Sequence, residues 1–174
     1  MSVARFARLV GIAIAAIAIT HRVPALAQQA TPPPAADSGV IRVQSAYGMD
    51  DTLVRIKQDI AAKGLRFFDE IDQAKLAAGA GIKLRPSVLL MFGNPPLGIQ
   101  FLTASPYAGL DWPVRMLVFE DPTGQVWIAY SDFAFIANRH HISDRPAQFK
   151  MASEVAASIA SSAQSKPMPQ PQKP

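Results

Sequence analysis

The sequence predicts an α+β domain in which an antiparallel or mixed sheet of about five strands carries helices on one face. Three features point there. Residues 87–92 are six consecutive residues without a charge, as an interior strand requires. Asp121-Pro122-Thr123-Gly124 separates two β-rich stretches and suits a type I turn closing a hairpin. Leu53, Ile56 and Ile60 repeat at helical spacing between two shorter β-rich runs.

Taken in order, residues 40–44 read as a strand, with Ile41 and Val43 on one side of the pleat. Asp50 or Asp51 is expected to cap a helix running to Lys63, which Gly64 stops. Residues 65–71 form a second strand, and Asp72 caps a short helix over residues 73–80. The uncharged run 87–92 carries apolar side chains in both directions and is expected to be covered on both faces. Gly93-Asn94-Pro95-Pro96 ends it, because the prolines lack donors. Residues 97–110 read as a helical turn around 98–103 followed by a loop. Residues 113–120 and 125–131 make the hairpin, and Asp132 caps a helix over 133–140 whose inner face is Phe133, Ile136 and Ala137. On the first hairpin strand Leu117 and Phe119 point away from Met116 and Val118, so the second sheet face is also apolar and needs a cover: another element, a ligand or a second copy.

The chain divides into a signal peptide (1–27), a Pro/Ala-rich linker (28–38), a domain (39–145), an Ala/Ser-rich helix (146–165) and a Pro-rich tail (166–174) that is expected to be disordered. Arg5 and Arg8 head the leader, residues 9–19 are eleven uncharged apolar positions, and Ala25-Leu26-Ala27 supplies the small residues that a signal peptidase reads at Ala25 and Ala27. The apolar run is about half the ~20 residues a membrane-spanning helix needs, so export with cleavage to a periplasmic or secreted location is expected, with no stable membrane span. Of 17 basic residues, three (Arg5, Arg8, Arg22) lie in the leader; the other 14 stand against 13 acids, a net +1. No cluster of Lys/Arg interleaved with aromatics follows, which argues against nucleic acid as a partner. The absence of cysteine excludes thiol nucleophiles, cysteine-held zinc, iron–sulfur clusters and a lipoprotein anchor.

Several ordered segments resemble the domain of unknown function 302 family: Glu70-Ile71-Asp72-Gln73-Ala74, Leu84-Arg85-Pro86, Leu90-Met91-Phe92-Gly93-Asn94-Pro95, Gly109-Leu110-Asp111-Trp112-Pro113-Val114-Arg115, Val118-Phe119-Glu120-Asp121, Gly124-Gln125-Val126-Trp127, Ser131-Asp132 and Arg139-His140. The resemblance spans about residues 41–142. It implies a small α+β domain arranged like the TATA-binding-protein class, found mostly in bacteria and archaea, with no established activity. Two departures bear on any shared site. Gln73 stands where many members have histidine, and Pro96-Leu97-Gly98 lacks the lysine that many carry.

The candidate site residues are Asn94, Arg115, Asp132 and His140. Asn94 can close the turn through its amide or present it to a ligand. Arg115 sits among apolar neighbours and, as a buried charge, needs an ion-pair partner or a ligand. Arg85 is expected to pair with Asp69, Glu70 or Asp72. Asp132 reads first as a helix cap. His140 and His141, adjacent on a helix and ~100° apart, are poorly placed to hold one metal together. Glu120-Asp121 reads as a solvated turn. The helix over 146–165, with Phe149, Ala152, Val155, Ile159 and Ala163 on one face, is expected to pack on the domain or on a sister chain. These readings favour a non-enzymatic binding or interaction module, homodimeric, using an apolar pocket or the sheet face for a partner or small-molecule ligand. The alternative is a small enzyme, or a metal or haem binder, built on Arg115, Asp132 and His140. No particular cofactor is implied.

Overall fold

A computed structural model describes residues 33–35 and 37–164. The leader with Ala25 and Ala27, most of the linker, and the tail lie outside the described residues. The elements are β1 (Val40–Gln44), α1 (Met49–Ala62), β2 (Arg66–Asp72), α2 (Gln73–Gly79), β3 (Ser87–Gly93), α3 (Pro95–Ala104), a 3-10 turn (Pro106–Leu110), β4 (Val114–Glu120), β5 (Val126–Ser131), α4 (Phe133–Arg139) and α5 (Pro146–Ser161). The strands form one antiparallel sheet of five in the order β1-β5-β4-β3-β2.

The expected α+β class holds, and local chemistry accounts for most boundaries. Helix α1 starts at Met49 after Gly48, so Asp50 and Asp51 lie inside its first turn, where their charge opposes the positive helix end, and not at the cap as expected. It stops in a paired-bond C-terminal motif: Leu65 N donates to Ile60 O (3.1 Å) and Gly64 N to Ala61 O (2.9 Å). Gly64 supplies the positive φ of 64° that this motif needs. Asp72 caps α2 through Lys75 N (2.8 Å) and Asp132 caps α4 through Ala134 N (2.9 Å), as their positions predict.

Helix α3 corrects the expectation of a turn starting near Gly98. It runs from Pro95 to Ala104, because prolines in the first helical turn cost no hydrogen bond and arrive with helical φ. Asn94 serves as its cap, accepting from Leu97 N at 3.2 Å.

Burial alternates along the sheet. Val88, Leu90 and Phe92, Met116 and Val118, and Val126, Ile128 and Tyr130 are buried, and they face the apolar sides of α1 and α5. The pairing register stacks them in rows, such as Val88–Val118–Ile128–Val43. Leu53, Ile56 and Ile60 of α1 and Phe149, Ala152, Ala156, Ile159 and Ala160 of α5 complete this core. Helix α5 is therefore integral to the domain, and Phe149 stacks on Phe101 of α3 with centroids 4.3 Å apart.

The intervening residues Leu89, Met91, Leu117, Phe119, Trp127 and Ala129 are only partly buried. The expectation that β3 is covered on both faces holds in part: Val88, Leu90 and Phe92 are buried under α1 and α5, whereas on the other side Leu89 and Met91 are only partly buried, with Ser87 held by Gln73 at the start of α2 (2.7 Å). Helix α2 contributes no buried residue to either face.

Candidate functional site

Two features of the fold offer binding surface, and a third gathers the predicted site residues. The first is an apolar pocket of about 70 Å³ where α3 and α5 meet the ends of β3 and β4. Its lining includes Phe92, Leu97, Phe101, Trp112, Ala152 and Val155. The Trp112 ring lies against two glycines. A methyl group built on Gly98 would stand 1.9 Å from Trp112 Nε1, and one on Gly93 3.3 Å from it. Phe68, at the irregularity of β2 beside Phe67, meets the same indole edge-on at 5.5 Å. Asn94 sits at the pocket margin.

The second feature is the uncovered sheet face. Its central row crosses all five strands as Ile71–Leu89–Leu117–Ala129–Arg42, with Leu117 in the middle of the middle strand. The next row is Ser87–Phe119–Trp127–Gln44. Arg42 is mostly buried. Its guanidinium lies 3.5 Å over the Trp127 ring and 5.7 Å from the Phe119 centroid, and 3.6 Å from Asp121 Oδ2. Stacking on indole and pairing with a carboxylate together offset the loss of water around this cation.

Asp121 is buried at 4% exposure and is not the solvated turn residue expected. Its Oδ1 accepts from Thr123 Oγ1 (2.5 Å), Thr123 N (2.9 Å) and Gln125 N (3.1 Å), and its Oδ2 from Trp127 Nε1 (2.8 Å). The Thr123 hydroxyl above all, then the Trp127 indole and the backbone donors, hold its carboxyl down at about 2, against burial pushing the other way. A depressed carboxyl contributes stability above its ordinary value of 3.8, and that contribution is lost as pH falls towards about 2. Acid unfolding followed by circular dichroism should therefore steepen between about pH 4 and pH 2 in the wild type. The Asp121→Asn variant should be less stable at neutral pH and should show a flatter decline across that window.

The third feature is a charged cluster on Asp111, whose side chain is 5% exposed. Arg115 Nη2 donates to its Oδ1 at 2.9 Å and to Leu110 O at 2.8 Å. Arg139 Nη1 lies 3.3 Å from both carboxylate oxygens. His140 Nε2 is 2.6 Å from Oδ2, and since an ionised carboxylate only accepts, this nitrogen carries the proton of that bond. Arg115 and His140 thus converge on a residue that was not among the candidates. The signal for it lay in the run Gly109-Leu110-Asp111-Trp112-Pro113, where an acid stands among apolar and turn residues.

The cavity beside the cluster is about 10 Å³, the size of one water. Arg115 is not the buried charge expected: its side chain is 45% exposed, because it stands at the start of β4 beside the loop that carries Asp111. Asp132 does not join the cluster by any hydrogen bond among the described residues; its charge, after burial, pushes the Tyr130 phenol up. Arg85 pairs with Glu120 at 3.2 Å and not with the acids of β2, because antiparallel pairing sets the start of β3 against the end of β4. Among the described residues no group of three or more His, Cys, Asp or Glu is placed to hold a metal ion.

Comparison with known proteins adds family and fold. The family model "Domain of unknown function DUF302" matches residues 41–165, a span that runs through α5. The fluoride-specific ion channel FluC 1 of Brucella suis biovar 1 is 34% identical over 124 residues, covering 71% of this chain and 46% of that protein. FluC 2 of Brucella melitensis biotype 1 matches equally, with 44% of its length covered. The chain spans less than half the length of these curated relatives. A crystal structure of an uncharacterized conserved DUF302 protein from Bacillus stearothermophilus superposes with a TM-score of 0.63 at 17% identity, covering 72% of this chain and 98% of that one. At that identity the likeness is one of fold.

Proposed function

This chain belongs to the DUF302 family, and from that premise we propose that it is a homodimeric binding module whose working surface is the uncovered face of its sheet. The observation that carries the reading is the alternation at the middle of β3, β4 and β5, where Leu90, Met116, Val118 and Ile128 are buried and the apolar residues between them, Leu89, Met91, Leu117, Phe119, Trp127 and Ala129, are only partly covered. Five strands about 4.8 Å apart and roughly six residues long present a face of roughly 500 Å². Two such faces would cover on the order of 1,000 Å², where specific interfaces begin.

Charge favours a second copy over a charged partner. Arg42, Arg85 and Arg115, at the margins of the face, each have a carboxylate of the same chain beside them. Stacking two identical faces at the usual ~10 Å sheet separation therefore strands none of these three cations. Catalysis is the weaker reading, since Arg115 and His140 are spent on Asp111 beside a space too small for a substrate. Sedimentation equilibrium of the purified protein at micromolar concentration should give a dimer; monomer alone would sink the proposal.

The basic head, the apolar run and the Ala25/Ala27 triplet support export of this module out of the cytoplasm. Protein recovered from the periplasmic fraction should begin at Gln28 on amino-terminal sequencing, whereas a cytoplasmic product still carrying residues 1–27 would refute export. Fluoride conduction is named for the Brucella relatives, of whose length this chain spans less than half. No helix among the described residues is long and apolar enough to cross a membrane.

A further inference from the structure

We infer that the groove between the 83–86 loop and the far end of β4 is a binding site for a small monocarboxylate with an apolar body. It opens at the margin of the face proposed for dimerisation, but every wall named below belongs to one chain, so the inference does not rest on a second copy. Size, charge and an unused hydrogen-bonding edge define the ligand.

The groove has a volume of about 660 Å³, within the roughly 300–1,000 Å³ of sites that take small molecules. Antiparallel pairing sets Ser87 opposite Phe119, and Glu120 N donates to Pro86 O at 3.0 Å, which ties the loop entering β3 to the end of β4. Leu117 and Phe119, both only partly buried, line the space, and covering them favours an apolar body.

Charge narrows the class. Three ionisable side chains line the groove, Lys83, Arg85 and Glu120, and two cations against one acid leave it at +1. Lys83 makes no ion pair among the described residues. One negative charge on the ligand balances the site, whereas a cation would add to the surplus.

Arg85 supplies the geometry. Its Nη1 donates to Glu120 Oε1 at 3.2 Å. On the opposite edge of the guanidinium Nε–H and Nη2–H point the same way, and neither has a partner among the described residues; Nε is buried as well. A buried donor without an acceptor is a cost, and this edge is the one that takes both oxygens of a single carboxylate. The side chain is 35% exposed, so a carboxylate can engage Nη2 from the groove and draw Nε into the same fork. Ser87 does not compete, since its Oγ donates to Gln73 Oε1 at 2.7 Å.

The test is isothermal titration calorimetry of the full chain with 4-phenylbutyrate. The acid should bind saturably and about tenfold more tightly than its neutral amide, the difference expected for a charge-assisted pair. Acetate, which lacks the apolar body, should bind no better than the amide. Arg85→Lys keeps the charge and removes the fork, and should weaken the acid about tenfold. Lys83→Met should weaken it about threefold, as befits an exposed charge. Glu120→Gln removes the competing carboxylate at constant shape and should tighten binding about threefold, a gain that a purely structural Arg85–Glu120 pair would not give. Each variant is checked for native circular dichroism.

Absence of saturable binding by 4-phenylbutyrate would overturn the inference, as would equal affinity for the amide or an unchanged affinity in Arg85→Lys. Sedimentation equilibrium of the same preparation keeps the two readings apart. A monomer that binds the acid removes the dimer and leaves this site, and a dimer that does not bind it removes the site alone.

Discussion

Leu117→Arg should convert the dimer to a monomer. Leu117 occupies the middle of the central row, between Leu89 and Ala129, on the strand with two neighbours on either side. If two sheets stack there, each copy brings one uncompensated guanidinium into the driest part of the contact. A lost central contact costs about 2 kcal/mol or more, and symmetry counts it twice, so the dimer dissociation constant should rise about 1,000-fold. The monomer itself should lose only about 1 kcal/mol, because the side chain is already partly open to solvent in the single chain. Sedimentation equilibrium and urea unfolding of the same preparation separate the two effects. A variant that stays dimeric would move the contact elsewhere on the molecule.

Gly98→Ala should destabilise the fold, although alanine is ordinarily the better helix former by about 1 kcal/mol. The added methyl would stand 1.9 Å from Trp112 Nε1, 2.2 Å from Cε2 and 2.6 Å from Cδ1. A rigid indole held by Phe68 and Gly93 cannot bend aside as a flexible chain end would. Overpacking of this kind costs about 3 kcal/mol at its upper range, leaving a net loss of about 2 kcal/mol. The decisive measurement is a double-mutant cycle in urea. With Trp112→Ala already present the obstruction is gone, and Gly98→Ala should turn stabilising by about 1 kcal/mol. An unchanged sign in that background would show that the cost arises somewhere other than the indole.

What was legible in the sequence follows the range of the interactions. Asp72 and Asp132 cap the helices assigned to them, and the 121–124 turn joins β4 to β5, because those bonds close within a few residues. The inner face of α4 was readable from spacing alone, with Phe133 and Ile136 buried as expected. Asp111 was not, since its partner His140 lies 29 positions away and no local pattern announces the meeting. Arg42 was missed for the same reason: its stack on Trp127 depends on β1 crossing the whole chain to pair with β5.

The partial misreading of β3 is of a different kind. The apolar residues at 89 and 91 are where the pattern put them, but sequence records that a face is greasy and not who covers it. Asp121 shows a further limit. A carboxylate beside a turn glycine reads as wet, and only the indole of Trp127 and the stacked guanidinium of Arg42 make it an interior group.

The position of β2 at the margin of the sheet governs how copies of this chain can meet. No described strand pairs with its outward backbone, the usual invitation to ribbon growth by strand addition. Yet Arg66, Asp69, Glu70 and Asp72 are all exposed along it, and the pairing slips between Phe67 and Asp69. Like charges facing one another across a would-be seam repel, and the slip spoils the ladder that a newcomer would need to continue. Side-by-side extension along this edge is thereby discouraged, and the proposed stacking of two sheet faces would close with its second member.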